Sequence, residues 1–96
     1  MKIDAIMIHN QDNVATALRD LRAGDSATVG QGQLRKSIPI AEDIPFGHKF
    51  AAAAIDTGEN IIKYGEIIGR ATCAIAQGTH AHVQNIESLR GRGDLD

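Results

Sequence analysis

Imidazoles, ammonium groups and a guanidinium recur beside glycines in one stretch, Asp43 to Asn85, which reads DIPFGHKFAAAAIDTGENIIKYGEIIGRATCAIAQGTHAHVQN. His48 and Lys49 follow Gly47, Glu59 follows Gly58, and His80 and His82 come soon after Gly78; Lys63, Tyr64, Glu66 and Arg70 lie between. An imidazole, with an ordinary pKa of about 6.5, serves near neutrality as an acid, a base or a metal ligand. The His80-x-His82 spacing is the sharpest chemical signal. If residues 79–83 form a strand, Thr79, Ala81 and Val83 face one way and both imidazoles the other, where they can share one metal ion. The same spacing also suits two surface histidines on the polar face of an edge strand. Lysine and arginine side chains offset an anion, arginine in a bidentate fork. Together these residue types point to a rim that meets a metal or an anionic ligand.

Tight turns must assemble that rim. Four short cassettes place an apolar residue three positions before a glycine: Leu21-Arg22-Ala23-Gly24, Ile44-Pro45-Phe46-Gly47, Ile55-Asp56-Thr57-Gly58 and Ile75-Ala76-Gln77-Gly78. A glycine takes positive φ without a Cβ penalty, so each cassette reads as extended chain, turn and extended chain. Residues 3–9 read as a first strand. Asn10 or Asp12 is placed to cap a helix of about three turns carrying Val14, Leu18 and Leu21 on one face and stopping at Gly24. His9 would then precede that helix, where an anion is favoured, although an ordinary strand-end histidine fits as well. Asp25 to Ile40 supplies two strands around a Gly30-Gln31-Gly32 loop, with Arg35 and Lys36 on a solvated edge. This GxG lacks the third glycine and the following helix of a dinucleotide-binding loop. The AAAA run at 51–54 has room for one helical turn at most, and a short extended segment fits equally. Gly65 and Gly69 bracket a strand pair rich in isoleucine.

Bulk properties narrow the function classes. A chain of 96 residues makes one domain with a modest core. Ten basic and twelve acidic residues give a formal charge of -2, and two phenylalanines with one tyrosine are the whole aromatic complement, so neither a nucleic-acid footprint nor a base-stacking platform is expected. Cys73 is the single cysteine, which excludes an internal disulfide and fits a reducing cytosol. The start, MKIDAIMIHN, is too short and too polar for a signal h-region, and no stretch approaches the ~20 apolar residues of a membrane span. A soluble, cytoplasmic protein is expected.

DIPFGHKFA, IIKYGEIIGRA and GTHAHVQN, in this order with the glycine cassettes between them, resemble the SAF-type (β-clip) domain of altronate and galactarate dehydratases, as does the earlier DNVATAL segment with its DLRAG turn. The likeness covers roughly Ile8 to Leu89. It implies a mainly β fold, β-clip in type, in a compact single domain; with the sequence reading, this gives one short N-terminal helix, a domain over residues 1–89 and a C-terminal tail over 90–96. It further implies loss of water from a sugar acid to give a 2-keto-3-deoxy acid, with a divalent metal, Fe2+ or Mn2+, bound by His80 and His82. His48, His80 and His82 take the catalytic positions, and Lys49, Lys63, Tyr64, Arg70 and Asn85 the substrate side. A large catalytic subunit on another polypeptide is the implied partner. A small domain with an unfinished site favours hetero-assembly or self-association. The resemblance equally accommodates the small subunit of a sulfolactate sulfo-lyase, or a non-catalytic carbohydrate-binding or adaptor module.

Overall fold

Leu21, Ile44, Ile55 and Ile75 stand three residues before a glycine, and in the fold they meet in two pairs. Leu21 and Ile44 exchange N–H···O bonds of 2.8 Å in both directions. Ile55 and Ile75 do the same at 2.9 and 2.8 Å. The following glycines all have positive φ, 95° at Gly24, 83° at Gly47, 87° at Gly58 and 82° at Gly78. In each cassette the N–H after the glycine bonds the carbonyl three residues back, as in His48 to Pro45 and Thr79 to Ala76. A positive φ confined to the third residue marks a type II turn. The glycine N–H in turn ties each turn to a neighbouring segment: Gly47 donates to Ala17, Gly58 to Ala71 and Gly78 to Ala51.

The computed structural model describes residues 2–88, and these carry nine strands. They are β1 Ala5–Met7, β2 Val14–Ala17, β3 Ser26–Gln31, β4 Leu34–Pro39, β5 Lys49–Ala51, β6 Asn60–Lys63, β7 Glu66–Ala71, β8 His80–Ala81 and β9 Ile86–Ser88. A six-stranded sheet runs β4-β3-β1-β2-β5-β8 and a three-stranded sheet runs β6-β7-β9. Only β1 and β3 pair in parallel; the other neighbours are antiparallel. Side-chain alternation sorts the core in two. Ala5, Met7, Ala15, Ala17 and Phe50 join Leu21 and Ile44 in one cluster, whereas Val14, Ala51 and Ala81 join Ile55, Ile61, Ala71 and Ile75 in the other, with Ile68 and Ile86 against it. Burying each large aliphatic side chain contributes about 1.5–3 kcal/mol, and with so few aromatics these residues supply most of the apolar interior.

Three sequence expectations change. The helix from Asn10 or Asp12 to Gly24 is absent: Val14–Ala17 is a strand between β1 and β5, and the described residues contain no helix. Val14, Ala15 and Ala17 are all buried, on both faces of the sheet, which a one-sided helix cannot achieve, and the weak preference of alanine for helix yields to that pairing. The first strand spans 5–7 rather than 3–9, and of the residues 79–83 considered as a strand only His80–Ala81 form one. Arg35 and Lys36 do lie on an edge, since β4 ends the larger sheet. The tail expected over 90–96 lies outside the described residues. Among those described, no helix is long and apolar enough to cross a membrane.

Asp12 does accept backbone hydrogen bonds, though not those of a helix. Its carboxylate takes the amides of Ile8 and His9 at 3.1 Å each and that of Gly65 at 2.8 Å. This fastens the β1–β2 loop to the β6–β7 hairpin, whose two-residue turn Tyr64-Gly65 has positive φ at both positions, 55° and 78°, as a type I′ turn demands. Burial pushes the Asp12 carboxyl up, but the amides of Gly65, His9, Ile8 and Tyr64 outweigh it and hold the group below its ordinary 3.8.

The turns differ in how closely they are packed, and this sets a test. A Cβ on Gly24 would meet nothing within 4 Å, whereas one on Gly78 would stand 2.0 Å from the Pro39 carbonyl oxygen. Gly24→Ala is expected to cost about 1–2 kcal/mol, the penalty of a left-handed alanine alone, and Gly78→Ala clearly more in urea unfolding. Equal costs would contradict this packing.

Candidate functional site

His48 and His80 are delivered by the second and fourth glycine turns. His48 ends the Pro45–His48 turn and leads into β5, and His80 follows the Ala76–Thr79 turn to open β8. β5 and β8 are antiparallel, with Phe50 opposite His80 and Lys49 opposite Ala81. That register brings His48 to the level of His82. The three rings form a triangle with centroid separations of 5.0 Å for His48–His80, 5.2 Å for His48–His82 and 5.3 Å for His80–His82. His48 Nδ1 and His80 Nε2 share a hydrogen bond of 2.9 Å. Each residue is half-buried, and one ring nitrogen from each lies within 4.8 Å of the other two.

Two further side chains hold this segment in place. Asn85 donates from Nδ2 to the His80 carbonyl at 2.8 Å and accepts the His82 amide on Oδ1 at 2.9 Å, clamping the chain between the two histidines. Glu42 accepts the His80 amide at 2.8 Å. It reaches that position because the Ala41 amide bonds the Gly78 carbonyl at 2.9 Å.

The electrostatics favour a neutral imidazole at His80. Burial lowers its pKa below the ordinary 6.5, His48 and His82 lower it further, and Glu42 opposes them. Neutral imidazoles are what a metal needs. Nitrogens bound to one ion at about 2.1 Å stand roughly 3–4 Å apart, a spacing these rings reach with small adjustments, and three protein ligands would leave positions open for water or substrate. The donor set therefore fits a divalent transition metal.

Lys49 lies on the other face of β5 from Phe50, beside the second core. It lines a cleft of about 200 Å³ with Ile68, His82, Val83, Ile86 and Ser88, so His82 belongs to both the triangle and the cleft. Burial, and then Lys63 nearby, pull the Lys49 ammonium below its ordinary 10.5. Lys63 also places its Nζ 4.9 Å from the centroid of the Tyr64 ring, at the exposed hairpin tip.

His48, His80 and His82 are thus brought together, with Lys49 beside them and Lys63 near Lys49. Arg70 is engaged elsewhere, in a 2.9 Å ion pair with Glu87 across β7 and β9. Asn85 is an organiser of the backbone. His9 loses its rationale with the helix: its Nδ1 accepts the Gln11 amide at 3.1 Å, and its ring packs over Gly65. Sequence reasoning missed Glu42, because its link to His80 spans 38 positions and no local pattern marks it.

A family model described as the altronate/galactarate dehydratase SAF domain matches residues 3–89. Altronate dehydratase of Escherichia coli (strain K12) is 42% identical over 91 residues, covering 95% of this chain and 17% of that protein. Altronate dehydratase of Bacillus subtilis (strain 168) is 41% identical over 83 residues, 86% of this chain and 16% of that protein. The chain therefore spans about a sixth of the length of these two relatives. The (2R)-sulfolactate sulfo-lyase subunit alpha of Chromohalobacter salexigens is 32% identical over 94 residues, 94% of this chain and 99% of that subunit.

The packing at His80 makes a prediction for the metal-free protein. A lowered pKa means that the neutral ring persists as pH falls through 6.5 and takes its proton only below that value. NMR titration of the imidazole carbons is expected to put the His80 midpoint under 6.5, and a midpoint above it would contradict the burial described.

Proposed function

The chain belongs to the altronate/galactarate dehydratase SAF domain family, and from that membership we propose that it serves as the SAF module of a cytoplasmic sugar-acid dehydratase, a small subunit acting with a larger catalytic one. The observation that carries this reading is the convergence of His48, His80 and His82 beside Lys49 and a cleft. The role of a separate subunit is supported by the sulfo-lyase subunit alpha, a relative of nearly the same span.

Loss of water from an aldonate removes the proton on the carbon beside the carboxylate and expels hydroxide from the next carbon. The resulting enol tautomerises to a 2-keto-3-deoxy acid. Removing that proton places a second negative charge next to the carboxylate, and nearby cations lower the cost of doing so. Lys49, with Lys63 close by, offers positive charge to the carboxylate. The proton taken from that carbon is returned to the departing hydroxyl, making water; an imidazole bound to metal has no lone pair left to take it, so the base is placed on the larger subunit. His48, His80 and His82 would hold Fe2+ or Mn2+, which when bound supplies Lewis-acid stabilisation of the developing charge.

The same relative supports a second reading. In a sulfolactate-type substrate the carbon–sulfur bond breaks in place of carbon–oxygen, and sulfite departs with the electron pair. The residues of this chain have the same tasks in both cases, since each substrate is an anionic hydroxy acid.

Reconstitution with the large subunit encoded nearest to it, in the presence of Fe2+ or Mn2+, is expected to give altronate dehydration that depends on this chain. His80→Ala is expected to lower kcat by about 100-fold while the thermal midpoint changes little. Equal turnover by the large subunit alone would overturn the reading.

A further inference from the structure

The three-stranded sheet walls one side of the cleft, since Ile68 comes from β7 and Ile86 and Ser88 from β9, while Lys49 comes from β5 of the larger sheet. One edge of the small sheet, β9, follows directly from the turn in which the Asn85 amide bonds the His82 carbonyl. The other edge, β6, is held by two adjacent residues that take no part in the chemistry above. Asn13 spends every polar group it has in joining the sheets. Its amide donates to the Ile62 carbonyl at 3.1 Å, and its carbonyl accepts the Ala52 amide, just beyond β5, at 2.9 Å. Its side chain accepts the Ile62 amide on Oδ1 at 2.8 Å and donates from Nδ2 to the Asn60 carbonyl at 2.9 Å. Asp12, the one buried polar residue among those described, adds the Gly65 amide at the hairpin turn. The ladder between β6 and β7 shifts at this point: Ile61 faces Gly69 and Ile62 faces Ile67, so Ile68 is the extra residue of a bulge. A bulge bends its strand and re-aims a side chain. The side chain re-aimed here stands in the cleft wall, and Ile62, beside the bulge, is gripped by Asn13 at both its amide and its carbonyl. Apolar packing in the second core presses the sheets together without regard to direction, whereas hydrogen bonds fix an orientation.

We propose that Asp12 and Asn13 are positioning residues of the candidate site, a staple that fixes the bulged β6–β7 hairpin against the larger sheet and so sets where Ile68 stands relative to Lys49. Lys63, one residue on from Ile62 in β6, is carried by the same hairpin. The two side chains of the staple are not interchangeable. Asp12 accepts on both oxygens, from Gly65 on Oδ1 and from Ile8 and His9 on Oδ2, which a carboxamide with a single oxygen cannot do. Asn13 donates on one arm and accepts on the other, which a carboxylate cannot do. The order Asp-Asn is therefore a requirement of the junction, and either isosteric exchange severs one of its links. The consequence for turnover rests on the functional reading above, in which Lys63 adds positive charge for the substrate carboxylate; the placement of the sheet does not.

The test measures residual dipolar couplings of the backbone amides by NMR, on the full chain in a weakly aligning medium, without metal or partner subunit. In the unaltered chain the amides of both sheets are expected to fit one common alignment. In Asp12→Asn and in Asn13→Asp the amides of β6, β7 and β9 are expected to lose that common fit, while those of the larger sheet keep theirs. Asp25→Asn is the control, because that carboxylate accepts the Arg22 amide at 3.0 Å within a single turn, and the common fit is expected to survive it. Asn13→Ser keeps one acceptor for the Ile62 amide and serves if the other staple variants do not fold. In reconstitution with the large subunit, the staple variants are expected to raise KM about fivefold with kcat within about twofold, the mark of lost substrate binding. A common fit retained in both variants would overturn the proposal, as would sheets that already need two alignments in the unaltered chain. A kcat that falls at unchanged KM, which is what a mere loss of folded protein gives, would overturn it too. Absence of turnover with the unaltered chain would sink the functional reading alone, and the couplings then decide this one.

Discussion

The structure depends on a reciprocal pair of backbone hydrogen bonds made twice, once between Leu21 and Ile44 and once between Ile55 and Ile75. Each pair buries two large aliphatic side chains and is followed on both sides by a glycine whose positive φ turns the chain back. Strands as short as two and three residues gain little from their own ladders, and ordering each residue of backbone costs about 1–2 kcal/mol. What holds them is that their ends are fixed by the cassettes. The two pairs also seed the two core clusters, so the fold has a repeated logic although its sheets are unequal.

The candidate site lies on the strand ends those cassettes set. β5 and β8 emerge from two different turns and pair with each other, which draws His48, from one half of the chain, to His80 and His82, from the other. The alternation of β5 then separates two environments. Phe50 packs in the first core while Lys49 stands on the side of the second, so the imidazole triangle and the ammonium cleft are close without being the same place. Glu42 is the acidic group found beside His80, and its carboxylate serves the His80 backbone amide. The chain carries a net charge of -2, yet positive and titratable groups predominate at this edge.

Much of this was legible in the residues. Glycine chemistry marked the four turns, β-branched runs marked the β6–β7 pair, and the H-x-H spacing with GHK marked the three histidines that meet. The N-terminal helix failed because Val-Ala-Thr-Ala carries no preference strong enough to resist a place between two strands, and only the pairing with β1 and β5 reveals that place. Asp12 looked like a cap because aspartate accepts backbone amides; it does so here for a loop and for Gly65, 53 positions away. Arg70, a candidate carboxylate clamp, meets Glu87 through the register of β9, a partner that the sequence pattern did not offer. These misses share one cause. The deciding neighbour lies far along the chain, and no local pattern encodes it.

The central claim, that the paired cassettes bring three imidazoles to a common point suited to one ion, is tested most directly by X-ray absorption spectroscopy of the full chain loaded with Co2+ as a spectroscopic stand-in. Three imidazole nitrogens at about 2.1 Å from the ion are the predicted result. A spectrum that fits only oxygen ligands, or a single imidazole, would contradict it.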